Sequence, residues 1–270
     1  MNQLIRSLLL LSPRIYEFIY QLKNAHFLNL YLKKVHEEDF KAFSLICEDR
    51  PQLFLDIGAT AGMSALSIFT LKPNAQVISF EPNPINHPYL ERIADKIDKF
   101  RYNQIGLGDL EQTIEFYYPI YNGKAMTTLG SFKYENAKSW LNSKTVYFFD
   151  QKKLKIETII VEVKTLDSFN LNPEFIKIDV EGFEYQVLLG GQETLKRYRP
   201  ILLIEGVARN DNTHNLLKEH GYDVYKFNKN KFYLDDFDCD NNFFIPQEKL
   251  SLIQPYLYQS IDQLALSSKL

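Results

Sequence analysis

The chain has 270 residues, of which 45% are hydrophobic and 24% are charged. This balance is typical of a globular protein, and the length suits one α/β domain with additions. The net charge of −3 argues against a chain built to neutralise nucleic-acid phosphates, so we expect no nucleic-acid partner. We recognise no signal peptide and no apolar run long enough to span a membrane, which predicts a cytoplasmic chain without a transmembrane segment.

Hydrophobic spacing divides the chain into a helical N-terminal extension at 1–50, a main domain at 51–250 and a C-terminal helical tail at 251–270. We expect the extension to pack on the main domain, with a docking or homodimer contact as the alternative. Two cysteines, Cys47 and Cys239, form no metal-ligand spacing, and no other pattern indicates a required metal.

Short apolar strands alternate with helices in the main domain, which predicts a mainly parallel sheet with helices on both faces. The predicted strands are 53–57, 76–80, 100–105, 175–180, 201–205, 222–227 and 242–245, and the predicted helices are 63–71, 89–97, 182–189 and 213–220. Residues 109–165 form a β-rich insertion that would cover the cleft, with strand-like pieces at 146–149 and 156–163.

The first strand ends in a glycine-bearing turn that is predicted to bind a cofactor. In doubly wound sheets, ligands lie beyond the carboxyl ends of the strands, and Gly58 and Gly62 would let a ligand approach the backbone. The G-x-G-x-x-G spacing of dinucleotide sites is absent, and Asp56 would repel a pyrophosphate. An acid here suits the sulfonium and ammonium of S-adenosylmethionine, although a turn cap is the alternative for Asp56. Glu81 ends the second strand and can accept from both ribose hydroxyls, with a helix N-terminal carboxylate as its alternative.

Two carboxylates at the end of the strand predicted at 175–180 are the candidate catalytic residues. We rank Asp179 first and Glu181 second as groups that could accept a proton in the cleft. The alternative is that both cap the following helix. Lys177 lies in the middle of the same strand, and a buried ammonium needs a partner. We therefore predict an ion pair between Lys177 and a neighbouring acid.

Three further residues are candidate substrate contacts. Glu205 ends the next strand beside the cleft, where the alternative is a charge partner for Lys177 or Arg209. His214 follows that strand and could serve as a base. Tyr121, in the insertion, could stack on a sugar face, with aromatic core packing as the alternative.

Several motifs together resemble the FkbM family of class I S-adenosylmethionine methyltransferases. The resemblance covers residues 53–206, and the segments that carry it are 55–62, 80–84, 103–109, 165–167, 176–182, 188–191, 199–200 and 204–205. It implies a Rossmann-like seven-stranded sheet of order 3-2-1-4-5-7-6 with the last strand antiparallel. It also implies methyl transfer to oxygen, with a small-molecule or carbohydrate hydroxyl of a sugar, glycan or secondary metabolite as the acceptor. The cofactor would contact Ala59, Thr60 and Pro82 as well, with its adenine near Gly106 and Leu107.

The sequence departs from the family pattern at Thr60, where the family more often has asparagine. Two other functions stay open. A non-catalytic protein that binds an adenosyl cofactor would keep Glu81 but could lose Asp179 and Glu181. An NAD(P)-dependent oxidoreductase is disfavoured by the missing glycine spacing and by Asp56.

Overall fold

The structure is a computed structural model that describes Ser7 and residues 35–258. Most of the predicted N-terminal extension and residues 259–270 of the predicted tail lie outside the described residues. The strands are β1 (Leu53–Ile57), β2 (Gln76–Phe80), β3 (Phe100–Asn103), β4 (Gly106–Leu107), β5 (Gln112–Tyr121), β6 (Lys124–Ala125), β7 (Leu154–Lys164), β8 (Phe175–Ile178), β9 (Ile201–Glu205), β10 (Tyr222–Asn228), β11 (Lys231–Leu234) and β12 (Asn241–Pro246). The α-helices are α1 (Ala42–Ile46), α2 (Met63–Leu71), α3 (His87–Ala94), α4 (Tyr134–Ser139), α5 (Glu184–Leu189), α6 (Gln192–Tyr198) and α7 (Asn212–Glu219).

The main sheet has the order β11-β10-β12-β9-β8-β1-β2-β3. Strands β1, β2, β3, β8 and β9 pair in parallel, whereas β12 runs antiparallel to both β9 and β10. Without β11, this is the predicted order 3-2-1-4-5-7-6 with the last strand antiparallel. The sequence did not predict β11, which extends the sheet to eight strands through a hairpin with β10.

Side chains alternate between two apolar layers, one on each face of the main sheet. Phe54, Val77 and Phe175 face a cluster that includes α1, α2 and α3, and we call this the first face. Leu55 and Ile178 face the opposite cluster, which includes α5, α6 and α7. Both faces are therefore covered, which is why the central strands read as continuous apolar runs in the sequence.

The insertion folds as a separate four-stranded sheet of order β4-β7-β5-β6, in which β5 and β7 pair antiparallel along ten residue pairs. Its β-rich character is confirmed, but two details of the prediction are wrong. Strand 100–105 ends at Asn103, and the chain then enters this second sheet as β4. Residues 146–149 form turns rather than a strand, with Phe148 at a φ of +55°.

A short segment before β1 is anchored on the first face by aromatic rings. It comprises a 3₁₀ helix at Glu38–Lys41 and α1. The ring of Phe43 lies 5.3 Å from that of Phe54 and 5.6 Å from that of Phe175. None of the helices in the described part of the chain is long and apolar enough to cross a membrane.

Candidate active site

A cavity of about 220 Å³ opens at the carboxyl edge of the main sheet, where β2, β1 and β8 end side by side. Eight of the residues predicted to form the site line it: Gly58, Thr60, Glu81, Pro82, Gly106, Leu107, Asp179 and Glu181. The insertion forms another wall through Phe116, Thr128, Gly130 and Phe132.

The turn after β1 has an unusual backbone that brings two strand ends together. Gly58 has a φ of +80°, and a Cβ at this position would lie 1.8 Å from the backbone oxygen of Asp179. Only glycine fits this close approach. Thr60 also has a positive φ, +46°, which is costly for a β-branched residue. Its backbone N–H donates to Glu81 Oε2 at 2.7 Å, and this hydrogen bond joins the strained turn to the end of β2.

Glu81 is buried and held by three donors. Besides Thr60, the backbone N–H of Asn83 donates to Oε1 at 2.9 Å and the side-chain amide of Asn86 donates to it at 3.1 Å. Burial raises the pKa of Glu81 to about 7, although these hydrogen bonds oppose the shift. A carboxylate has about four lone-pair sites, so one acceptor site remains for a ligand.

Parallel pairing places Ser79, Asp56 and Lys177 side by side across β2, β1 and β8, all on the first face. We call these three residues the polar row. Asp56 has no exposed surface and lies beneath the cavity rather than in its lining. Its Oδ2 accepts from the Ser79 hydroxyl at 3.0 Å, while Oδ1 has no hydrogen-bond partner and lies 3.9 Å from Lys177 Nζ. Burial raises the pKa of Asp56, against the attraction of Lys177.

Lys177 joins the polar row to the acids at the cavity floor. Its ammonium donates to Asp179 Oδ2 at 3.0 Å and to the backbone oxygen of Gly58 at 3.3 Å. The predicted ion pair is therefore confirmed, with Asp179 as the closer partner and Asp56 as the second. The side chain of Lys177 is 7% exposed, so its charge is neutralised by these acids rather than by water.

Asp179 and Glu205 are directly hydrogen-bonded and differ in charge. Burial works against ionisation of Asp179, but the charge of Lys177 together with the hydrogen bonds from Glu205 and Lys177 outweighs it and lowers the pKa of Asp179. Burial and the neighbouring Asp179 raise the pKa of Glu205. Glu205 is therefore the protonated partner, and its hydroxyl donates to the Asp179 carboxylate.

Glu181 lies in the turn after β8, at a φ of +53°. Its backbone oxygen accepts from the Ser131 hydroxyl and from the Asn136 side-chain amide, both at 2.8 Å, so the insertion holds this turn. Burial, followed by the charge of Asp179, raises the pKa of Glu181 to about 7, and a hydrogen bond from Trp140 opposes the shift. A left-handed backbone at a charged cavity residue is the kind of local strain that accompanies functional sites.

Six predicted residues lie outside the cavity lining, namely Asp56 and Glu205, described above, and four others. Ala59 is 2% exposed, and Gly62 is the residue before α2. The structure contradicts a substrate contact for Tyr121, because its side chain is fully buried within the insertion and its hydroxyl accepts from the backbone N–H of Asp150. His214 is also buried, where its Nδ1 accepts from the backbone N–H of Asn210 and its ring packs on Phe237. Its place in α7 fits a structural role rather than that of a base.

Sequence reasoning missed two residues that the structure brings to the cavity. His36 and Glu37, from the segment before α1, line it. Neither belongs to a motif in the sequence, because both reach the site only through the tertiary fold. In the insertion, Trp140 donates to the Glu181 carboxyl, and 42% of the residue is exposed.

Comparison with known proteins identifies the chain's family. The family model described as the methyltransferase FkbM domain matches residues 56–224. The 2-O-methyltransferase NoeI of Sinorhizobium fredii is 29% identical over 171 residues, which cover 62% of this chain and 66% of NoeI. The AMB antimetabolite synthetase AmbE of Pseudomonas aeruginosa is 30% identical over 206 residues, which cover 63% of this chain and 9% of AmbE. The chain thus spans less than two thirds of the length of either curated relative.

Among solved structures, a methyltransferase FkbM from Methylobacillus flagellatus has a TM-score of 0.48 and 17% identity, with 79% of this chain and 47% of that chain covered. The family assignment rests on the sequence match, which spans more than half of this chain. The chain belongs to the FkbM family of methyltransferases.

Proposed function

We propose that the protein is an S-adenosylmethionine-dependent O-methyltransferase whose acceptor is a hydroxyl of a sugar, glycan or secondary metabolite. The observation that carries this proposal is the composition of one cavity. A carboxylate at the end of β2 faces the same space as a glycine turn after β1 and a group of carboxyl residues after β8. Membership of a methyltransferase family supports methyl transfer as the reaction.

The residues present fit S-adenosylmethionine better than a dinucleotide. Four acidic residues line the cavity, namely Glu37, Glu81, Asp179 and Glu181. Its lining contains one lysine, Lys177. The buried Asp56 Oδ1 beneath them lacks a hydrogen-bond donor. This excess of acid attracts a ligand with cationic groups and repels a pyrophosphate. Glu81 would bind one ribose hydroxyl through its remaining acceptor site, and Gly106 and Leu107 would contact the adenine.

S-adenosylmethionine, when bound, supplies a methyl group activated by its sulfonium. The chain's own residues have two tasks, which are to orient the acceptor hydroxyl in line with that methyl and to accept the hydroxyl proton. We assign proton acceptance to Glu181, because its pKa of about 7 lets it exist as a carboxylate near neutral pH and still bind a proton. We assign orientation to Asp179, whose lowered pKa makes it a weaker base.

Two observations support a hydroxyl on a carbohydrate-like acceptor. NoeI, with 29% identity, is by its name a 2-O-methyltransferase. In this chain, Trp140 has its N–H tied to Glu181 while 42% of the residue is exposed. An exposed indole beside the proton acceptor offers an apolar surface to a sugar ring.

Calorimetric titration of the full chain with S-adenosylhomocysteine and with NAD tests the cofactor. We expect S-adenosylhomocysteine to bind and NAD to bind more weakly, and preferential binding of NAD would refute the proposal. Incubation with S-adenosylmethionine carrying a labelled methyl group, over a panel of sugars and hydroxylated metabolites, then tests the reaction. Cofactor binding with no transfer to any hydroxyl would instead favour a non-catalytic protein.

A further inference from the structure

His36 and Glu37 form part of the cavity wall although they precede the region that matches the family, which begins at residue 56. The backbone N–H of His36 donates to the Ser67 hydroxyl at 3.0 Å, and His36 Nδ1 lies 2.8 Å from the same oxygen. Ser67 is buried in α2, the helix that follows the glycine turn. The segment is thus attached to the element that shapes the cofactor turn.

The segment that carries His36 and Glu37 is also attached to the start of β12. Glu37 Oε2 accepts from the side-chain amide of Asn241 at 3.2 Å, and Asn241 pairs with Glu205 across β12 and β9. Phe40 and Phe43, which follow directly, are buried in the first-face core. Glu37 therefore has a defined place over the β8, β9 and β12 side of the cavity, rather than a free surface position.

The charge of Glu37 is set by its neighbours. Its hydrogen bond with His36 lowers the pKa of Glu37, burial opposes this shift, and the Lys177 ammonium adds to it. Four other acids lie at the same end of the cavity as Glu37, and they are Asp56, Asp179, Glu181 and Glu205. The basic side chains that face these acids are Lys177 and His36. The Glu37 side chain keeps 45% of its surface exposed, so its carboxylate can still reach a ligand.

The two ends of the cavity differ in chemistry along the sheet. Glu81 lies at the end of β2, and β1 separates it from β8, so the backbones at Glu81 and Asp179 are about two strand spacings, roughly 10 Å, apart. A ligand whose ribose lies at Glu81 must extend its other end across β1 toward β8. Glu37 and Lys177 lie where that other end arrives.

We propose that Glu37 binds the α-ammonium of the amino-acid end of S-adenosylmethionine. This inference rests on the proposed function, because it concerns the same cofactor. It places a cofactor contact in the segment before the first strand, outside the matched methyltransferase region. The ammonium of the cofactor would add a second positive charge beside these acids, which Lys177 alone does not neutralise.

The test compares two ligands on the full chain, S-adenosylhomocysteine and 5′-methylthioadenosine, which share the adenosine but of which only the first has the amino-acid end. Glu37→Gln should weaken S-adenosylhomocysteine binding by about tenfold or more, since a hydrogen bond to a charged group is lost. The same variant should bind 5′-methylthioadenosine within about twofold of the wild type. That second ligand also reports that the variant is folded.

Asp39→Asn is the matched control. Asp39 Oδ2 accepts from the same Asn241 amide at 3.2 Å, yet Asp39 does not line the cavity. We expect this variant to bind both ligands like the wild type. Equal weakening of both ligands by Glu37→Gln, an equal effect of Asp39→Asn, or unchanged binding of S-adenosylhomocysteine would each overturn the inference. If the wild type binds neither ligand, the proposed cofactor itself is wrong and the inference falls with it.

Discussion

Replacing Lys177 with methionine should destabilise the fold, and the loss should depend on pH. The ammonium lies 3.0 Å from Asp179 and 3.9 Å from Asp56, and Asp56 is fully buried. Methionine fills similar space but leaves both carboxylates without their cation. Removal of one partner from a buried pair costs about 3–5 kcal/mol. At about 2–4 °C for each kcal/mol in a domain of this size, the melting temperature should fall by about 6–20 °C.

The pH dependence follows from the unpaired acids. Without Lys177, the pKa of Asp56 rises further above its unfolded value, and the pKa of Asp179, which Lys177 helps to lower, rises above its unfolded value as well. The folded state then binds more protons than the unfolded state, so stability decreases as pH rises through those folded-state values. Urea unfolding should therefore show a larger loss at about pH 8 than at about pH 5.5.

The control for Lys177→Met is Lys164→Met. Lys164 pairs with Glu162 at 3.2 Å, but the Lys164 side chain is 41% exposed. Exposed pairs contribute about 0–1 kcal/mol, so this variant should unfold like the wild type at both pH values. A loss for Lys177→Met that stays under about 1 kcal/mol at the higher pH, or that does not change with pH, would refute the reasoning.

Three further predictions concern the cavity. Glu181→Gln should lower kcat by about a hundredfold or more while S-adenosylhomocysteine still binds. The wild-type rate should rise with pH through about 7, as Glu181 loses its proton, and this rise should be absent in the variant; a retained rise assigns the proton to another group. Trp140→Phe removes the hydrogen bond that lowers the pKa of Glu181, so the rising part of the pH–rate profile should move to higher pH, and an unmoved profile contradicts the contact. Thr60→Asn should raise stability by about 0.5–1 kcal/mol in thermal unfolding, since asparagine tolerates the left-handed backbone at a φ of +46° better than a β-branched residue. A lower melting temperature for that variant would mean that the turn is not strained.

The sequence predicted those parts of the fold and site that depend on local pattern. Apolar runs of about five residues with helices between them define the central strands, and β1 and β8 are buried along almost their whole length. Glycine at position 58 and the acid at 81 could be placed because each directly follows a strand. The Lys177 pair was predictable for a related reason, since a lysine in a doubly covered strand needs an acid on the same face.

The parts that the sequence did not predict depend on distant contacts. The turns at residues 146–149 look like a strand, but their apolar residues, such as Val146, pack within the insertion. The sequence does not distinguish a buried tyrosine from one that stacks on a ligand. The structure shows that the ring of Tyr121 is stacked on Phe149 in that small core. Glu37 reaches the cavity because Phe40 and Phe43 anchor its segment on the sheet. The domain boundaries, a cytoplasmic location and a homodimer stay predictions.

The ranking of the two candidate catalytic acids is where structure adds most to sequence. Strand parity places Asp179 and Glu181 alike, and the ranking from the sequence put Asp179 first. The structure separates them by their surroundings. Asp179 faces a buried ammonium and a protonated Glu205, which stabilise it as an anion and donate hydrogen bonds to its oxygens. Glu181 has a repulsive anion nearby and a single indole donor, so it binds a proton more readily. A residue that must first be a carboxylate and then become protonated within one turnover needs the second environment, and this makes Glu181 the stronger candidate for the base.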